Sequence, residues 1–385
     1  MPQEEIQTVD PYDFEKEHLT LEQVSSLKNI IDCHKEAIST PENPLGSYKL
    51  FQASINLYAG KKSIQAKTQI NYDLISADIN RMESHGIIAQ NYSNNLDCLA
   101  NLVIVSKSSR LCKADKFLEK QVKREVQGDA TEKQNKGEVR GDPCQNPYQD
   151  PGKKVPSKNP NYRLTIDLSD VNSILWGQRF INLSKNEELL ETLTDCYLSK
   201  VDIAEYFFSF NLDQLSQKKI NFYYKNKFFS FLRLPQGLAN SPWFSVLGTS
   251  LAFSNESLML FLEKYPEFKN DEVFSQDVSK IVSFYIDDGL IFSKKSYGWQ
   301  SHLKIVKYVL YIFEVTGLKI KTEKCQFLVQ KTDFLGLHLN TSENVHFIPT
   351  QKLAGFQKWS KPLSQGELNS RLSCLNFYSK YIPFF

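Results

Sequence analysis

The chain has 385 residues, 46 Lys and Arg against 44 Asp and Glu for a net charge of +2, and 12% aromatics, including 26 Phe and 18 Tyr. That length and aromatic load suit a sizeable core and more than one average domain, and they exclude an intrinsically disordered chain. No apolar run reaches membrane-spanning length, Met1-Pro2-Gln3-Glu4-Glu5 is no signal peptide, and the seven cysteines are never spaced as CxxC, which argues against a zinc site or disulfide framework and for a reducing compartment. The charge balance neither supports nor excludes a nucleic-acid partner, because local clustering sets the field of a cleft.

In chain order, Asn71 to Ser84 reads as an amphipathic helix before Gly86, and Leu102-Val103-Ile104-Val105 reads as a strand. Residues 111–158 are rich in Lys, Glu, Asp, Gln, Gly and Pro and poor in apolar residues after Val126. They predict a solvated, mostly disordered insertion whose first part, Ala114 to Glu125, could form a charged helix. Its bland reading is a tolerated surface insertion; extra template contact or partner binding is the functional one, and we favour the former. Tyr162 to Asp167 gives the next strand, and Tyr197 to Asp202 another that ends near Asp202.

Pro235 and Gly237 then break a strand, and Ser241-Pro242 predicts a helix start with Ser241 as N-cap and Pro242 at N1. The helix would run through Trp243, Phe244, Val246 and Leu247. Gln236 would stand in a turn just before a helix N-terminus able to face an anionic ligand.

The richest stretch is Phe284-Tyr285-Ile286-Asp287-Asp288-Gly289-Leu290-Ile291-Phe292. Asp288-Gly289 between apolar runs predicts a tight hairpin turn, with two acids lifted out of a buried sheet. Such acids are costly unless a cation meets them, and a divalent metal is the usual answer; an ordinary solvated turn is the alternative. Asp202, 85 residues before Asp287, suits a second strand of the same sheet. Asp202 with Asp287 could hold two magnesium ions about 3.5–4 Å apart, the clamp of in-line phosphoryl displacement. Taken alone, Asp202 is an ordinary strand end or helix cap.

Further on, Trp299 to Thr316 carries Leu303, Val306, Leu310 and Phe313 at helical spacing, with Gly317 at the C′ position. Phe334 to Leu339 reads as an apolar strand with a glycine where something must approach closely. Ser364-Gln365-Gly366-Glu367 fits a capping box opening a helix through Leu368, Leu372, Leu375 and Tyr378. For the apolar stripes of these helices, plain core packing is the accepted reading. No internal repeat is visible.

The order of these blocks resembles the reverse transcriptase domain of retroviruses and LTR retrotransposons, nearest the Ty3/gypsy-like group. The matching blocks are 162–167, Val201-Asp202 through Phe207, Leu234-Pro235-Gln236-Gly237, Tyr285-Ile286-Asp287-Asp288, 317–325 and Phe334-Leu335-Gly336. The likeness reaches back to Gly86-Ile87-Ile88 and on through 376–384, so it covers most of residues 45–385.

The resemblance implies an α+β right-hand polymerase fold with fingers, a palm of antiparallel sheet backed by helices, and a partial thumb. Its divisions would be an N-terminal extension 1–44; fingers 45–176 and 211–240; palm 177–210 and 241–342; and a partial thumb 343–385. It implies RNA-directed DNA polymerase activity, with an RNA or DNA template–primer and deoxynucleoside triphosphates as partners, Mg2+ as cofactor (two ions, Mn2+ a possible substitute) and an intracellular setting. By resemblance, Asp202, Asp287 and Asp288 form the acidic metal set with the Ile203 carbonyl. Ile203, Ala204, Glu205, Tyr206 and Phe207 would lie along the triphosphate, with Phe207 as the steric gate against ribonucleotides. Arg163 and Lys107 would meet the triphosphate, Gln236 the sugar and template, and Lys324 would protonate pyrophosphate. Leu335 and Gly336 would form the primer grip.

Three departures stand out. Tyr206 is bulky where the retroviral enzymes carry a small residue, 111–158 lengthens the fingers, and the connection, ribonuclease H, protease and integrase signatures are not seen. The chain therefore reads as a piece of a longer polyprotein or of a degraded element. Two other readings remain: a catalytically weak or dead fragment that only binds nucleic acid or a partner, and an RNA-directed RNA polymerase. The acidic set argues against the first; Phe207 and the Leu-Pro-Gln-Gly block argue against the second.

Overall fold

A computed structural model describes residues 12, 14–64, 72–93, 96–106, 162–177, 189–190, 192–362 and 364–382. The expected insertion 111–158 with its helix, Lys107, and the last residues 383–385 lie outside these.

Among the described residues thirteen strands follow in order: β1 Ser63–Ile64, β2 Ile88–Asn91, β3 Cys98–Ser106, β4 Tyr162–Asp167, β5 Cys196–Asp202, β6 Ile220–Tyr224, β7 Lys227–Phe231, β8 Val282–Tyr285, β9 Asp288–Lys294, β10 Gln326–Val329, β11 Lys331–Phe334, β12 Leu337–Asn340 and β13 Val345–Phe347. They form three sheets. A six-stranded sheet runs β1-β3-β6-β7-β2 with β4 paired to β3, a four-stranded sheet runs β10-β5-β9-β8, and a three-stranded sheet runs β11-β12-β13. β3 and β4 pair antiparallel from Asn101↔Asp167 to Ser106↔Tyr162, so Ser106 and Tyr162 stand side by side at one end of the pair.

The four-stranded sheet is buried on both faces along β9, which is why Leu290-Ile291-Phe292 reads as a continuous apolar run rather than as a half-buried alternation. Along β9, Ile291 joins the main core while Leu290 and Phe292 join a second cluster with Leu198, Phe334, Leu337 and Leu339. The main core is closed by the helix Gly298–Thr316, whose Leu303, Val306, Leu310 and Phe313 are all buried, as their spacing predicts. That helix ends at Gly317 in the left-handed region. The helix Leu21–Cys33 opens with a full capping box on Thr20 and Gln23 and buries Leu27 and Ile31 in the same core. The helix expected before Gly86 is present as Ser76–Ser84 after a short turn Tyr72–Leu74.

Four local readings need correction. Tyr285 and Asp288 are the last register pair of β8–β9, so the turn is Ile286-Asp287, and Asp288-Gly289 already belongs to β9. The positive φ falls on Ile286, at 57°. Gly289 is needed for a different reason: a Cβ there would stand 2.4 Å from Phe284 Cε1 and 2.6 Å from Val201 Cγ2. The helix Ser241–Ala252 has Asn240 at its N-cap, so Ser241 is its first residue and instead donates to the Pro235 carbonyl at 2.7 Å. Phe334 to Leu339 is a hairpin turning at Leu335 and Gly336, whose φ values of 51° and 78° suit a two-residue turn. Finally, the helix Gln365–Phe377 has the Ser364 cap on Glu367 N–H, but Leu368 and Leu372 are exposed rather than packed, and its buried residue is Arg371.

Candidate active site

Antiparallel pairing of β5 with β9 ends at Asp202↔Asp288, which places these two carboxylates side by side at one sheet end. Asp287 follows Ile286 in the adjoining turn, and its carbonyl accepts from the Ile203 N–H at 2.9 Å. One turn and two strands thus bring Asp202 from far away in sequence to the adjacent Asp287 and Asp288. A β-branched residue with positive φ is strained, and the sheet around Ile286 holds it there.

Two lysines face the acids. Lys324, in the turn Thr322–Lys324, reaches both Asp202 carboxylate oxygens at 3.1 Å. Lys200 on β5 donates to the Asp333 carbonyl at 3.0 Å and stands 3.5 Å from Asp288. Loss of hydration holds the Asp202 carboxyl above its ordinary value; the Lys324 hydrogen bond and charge pull it back, and Asp288 pushes it up. Asp287 is also raised, by loss of hydration first and then by the charges of Asp288 and Asp202, although its side chain stays open to solvent at the turn tip.

The donor set fits a hard divalent cation. Among the described residues no three His, Cys, Asp or Glu side chains come close enough to cage an ion. Magnesium does not need that cage, since it keeps several waters and leans on substrate phosphates with one or two carboxylates. Asp202 and Asp287, both raised by crowding and lost hydration, are the carboxylates a cation would relieve. Among the described residues nothing donates to the Ile203 carbonyl, leaving it available beside them.

The remaining candidates divide. Ile203 and Ala204 are buried, and their N–H groups already donate to the Asp287 and Lys319 carbonyls, so those two donors do not face a triphosphate. Glu205 has φ of 46° and sits 3.8 Å from Lys321. Tyr206 does not line the site: its ring is 3% exposed and its hydroxyl donates to the Ser245 carbonyl at 2.6 Å in the core. This removes the crowding that a bulky residue there suggests. Phe207 is half-buried, with its ring 6.4 Å from that of Tyr206. Gln236 is exposed on the loop before the helix Ser241–Ala252. Arg163 lies on β4 opposite Val105, and its side chain, like all of Lys107, lies outside the described residues. Leu335 and Gly336 form the β11–β12 turn, with Leu335 packed on the second core cluster.

Sequence reasoning missed the supporting residues. Asn172 grips the loop just after Gln236, donating to the Gly237 carbonyl at 3.0 Å and accepting from Ala239 N–H at 2.8 Å. Arg233 reaches the carbonyls of Gly46 at 2.7 Å and Phe208 at 2.8 Å. Buried His302 bridges Ser199 of β5 and Ser293 of β9, at 2.8 Å from each, tying together the strands that carry the acids.

Comparison with known proteins bears on the family and the fold. Residues 153–339 match the family model described as reverse transcriptase (RNA-dependent DNA polymerase). The chain is 28% identical over 244 residues to the retrovirus-related Pol polyprotein from transposon 297 of Drosophila melanogaster, covering 62% of this chain and 20% of the relative. It is 23% identical over 246 residues to the corresponding polyprotein from transposon gypsy of the same organism, covering 62% of this chain and 21% of that relative. The chain thus spans about a fifth of the length of these curated relatives. In fold it is similar to foamy viral protease-reverse transcriptase in complex with RNA/DNA hybrid, with TM-score 0.60, 18% identity, and coverage of 98% of this chain and 41% of that one. The form in complex with double-stranded DNA gives TM-score 0.60 at 19% identity, with coverage of 98% of this chain and 64% of that one. The α+β right-hand polymerase fold follows from these likenesses. Residues 153–339 thus carry the reverse transcriptase domain, and the chain is similar to the retrovirus-related Pol polyproteins of gypsy-like retrotransposons.

Proposed function

We propose that the chain is an RNA-directed DNA polymerase, extending a primer on an RNA or DNA template with deoxynucleotides. The observation that carries this reading is the register pair Asp202↔Asp288 with Asp287 at the adjoining turn. Asp202, Asp287 and the Ile203 carbonyl would hold two Mg2+ ions, with Mn2+ a possible substitute, and Asp288 would add to the negative field. When bound, the ions supply activation of the primer 3′-hydroxyl and charge neutralisation at the leaving pyrophosphate.

The chain's own residues do the rest. Phe207 would close the space that a ribose 2′-hydroxyl needs. Gln236 would contact the nucleotide sugar, with its loop fixed by Asn172. Arg163 and Lys107 would meet the triphosphate, where a guanidinium can bind two oxygens at once. Lys324, bonded to Asp202, would hand a proton to pyrophosphate. Leu335 and Gly336 would place the primer end by main-chain contact. Fingers at 45–176 and 211–240, palm at 177–210 and 241–342, and a partial thumb at 343–385 would enclose the template–primer, in keeping with the similar foamy viral proteins, which are in complex with RNA/DNA hybrid and with double-stranded DNA. No described helix is long and apolar enough to cross a membrane, and an intracellular site of action accords with a nucleic-acid template.

The test is primer extension on poly-rA/oligo-dT with magnesium, comparing wild type and Asp287→Asn. Metal-dependent synthesis that the variant loses is expected. Synthesis retained by a folded variant would overturn the assignment of the acids.

A further inference from the structure

Gly336, at the β11–β12 turn, lies against the two helices that follow. A Cβ at this position would stand 2.1 Å from Lys352 Nζ and 2.5 Å from the Tyr378 hydroxyl. Lys352, in the helix Thr350–Gln357, donates to the Tyr378 hydroxyl at 2.7 Å and reaches the Gly336 carbonyl at 3.5 Å, the outer limit of a hydrogen bond. Its ammonium lies 5.3 Å from the Tyr378 ring centre. Tyr378 is itself fixed, 5% exposed and packed in the second core cluster, with Phe356 5.7 Å away.

The neighbouring lysines differ in their electrostatics. Lys200, Lys324 and Lys331 each stand beside a carboxylate, of Asp288, Asp202 and Glu343 respectively. Among the described residues Lys352 has only neutral oxygens as partners, yet it is exposed. An ammonium has three donors, so one remains after the hydroxyl and the carbonyl. A free surface lysine samples many rotamers; this one is held in place, with its charge unneutralised, beside the turn that would carry the primer end.

We propose that Lys352 binds a backbone phosphate of the primer strand next to the Leu335-Gly336 turn, with Tyr378 as the residue that positions it. The inference rests on the polymerase reading above. It makes the two helices after β13 and the β11–β12 turn one device, in which a single ammonium ties duplex to both.

The experiment measures equilibrium binding of an oligonucleotide primer–template duplex across a sodium chloride series, for wild type, Lys352→Met, Lys352→Arg and Tyr378→Phe. Each phosphate contact contributes about 0.9 to the log–log salt slope on duplex. Lys352→Met is expected to lower the slope by about one and to weaken binding about eightfold at 0.1 M salt. Lys352→Arg should keep the wild-type slope, and Tyr378→Phe should weaken binding with the slope little changed. A Lys352→Met variant with wild-type slope overturns the proposal even if its affinity falls, because the loss is then structural. Wild type showing no salt-sensitive binding at all would instead overturn the polymerase reading.

Discussion

Lys324 holds both carboxylate oxygens of Asp202 at 3.1 Å, and so supplies positive charge to a carboxyl that loss of hydration raises. This pairing joins the residue assigned to the leaving group with a residue assigned to the metal. Lys324→Met should therefore lower the rate of nucleotide addition and also raise the Asp202 carboxyl further. Single-turnover extension across a pH series is the check. The acidic limb of the variant should move to higher pH, and an unmoved limb would show that the lysine does not tune Asp202.

Asp287 is raised in the folded chain, so its charge opposes folding. A carboxyl with a folded value above its unfolded one binds more protons when folded, so stability falls as pH rises through that window and is regained in acid. Asp287→Asn should thus melt no lower than wild type in metal-free buffer at neutral pH, while losing synthesis. The gap should narrow as pH falls toward the ordinary carboxylate value of 3.8. Thermal melts with chelator present decide it, and a variant that melts well below wild type would show Asp287 to be structurally required.

His302 behaves in the opposite sense. Complete burial between two serine hydroxyls lowers it from 6.5 to about 3, so it stays neutral when folded. Unfolded chain takes up a proton below pH 6.5 that the folded chain refuses, so stability drops as pH falls below that value. His302→Asn should lose this acid limb. Denaturant unfolding at neutral and mildly acidic pH would reveal it as a smaller pH dependence than wild type.

Two neighbouring rings should separate cleanly by substitution. Phe207→Ala should raise ribonucleotide incorporation relative to deoxynucleotide. Tyr206→Phe removes the bond to the Ser245 carbonyl and should cost about 1 kcal/mol of stability with nucleotide preference unchanged. Competition between the two nucleotide types, beside melting curves, tests both. Equal preference shifts in the two variants would place Tyr206 back in the site.

Gly289→Ala forces a methyl against Phe284 and Val201 inside a close-packed sheet. Overpacking of this kind costs about 1–3 kcal/mol. Phe284→Leu in the same chain should recover part of the loss, and a melting temperature that does not respond to the second change would refute the contact.

These residues also mark what a sequence can carry. The juxtaposition of Asp202, Asp287 and Asp288 was legible because each, though ordinary alone, ends or follows an apolar run spaced to suit two strands of one sheet. The long helix Gly298–Thr316 was legible from its period alone. Gly289 was misread because glycine serves turns and close contacts alike, and only the register of β8 with β9 tells which applies. At Gly336 the expected close approach is present, by Lys352 and Tyr378, and only the turn at Leu335-Gly336 was missed. Leu368 and Leu372 looked like core because periodicity reports an apolar stripe and says nothing of what covers it. Arg233 and His302 could not be read at all, since their partners lie up to 187 residues away and, for Arg233, are main-chain carbonyls that every residue offers.

Ser106 and Tyr162 end the described part of the β3–β4 ladder as register partners. Whatever joins them must begin and finish at one strand-pair spacing, regardless of its length. Doubling such a connection costs only about 0.6 kcal/mol in closure entropy. The hairpin is therefore a natural port for added sequence: a reporter module or affinity tag whose own termini lie close together could replace residues 111–158, with the sheet end holding Asp202 and Asp288 left as it is.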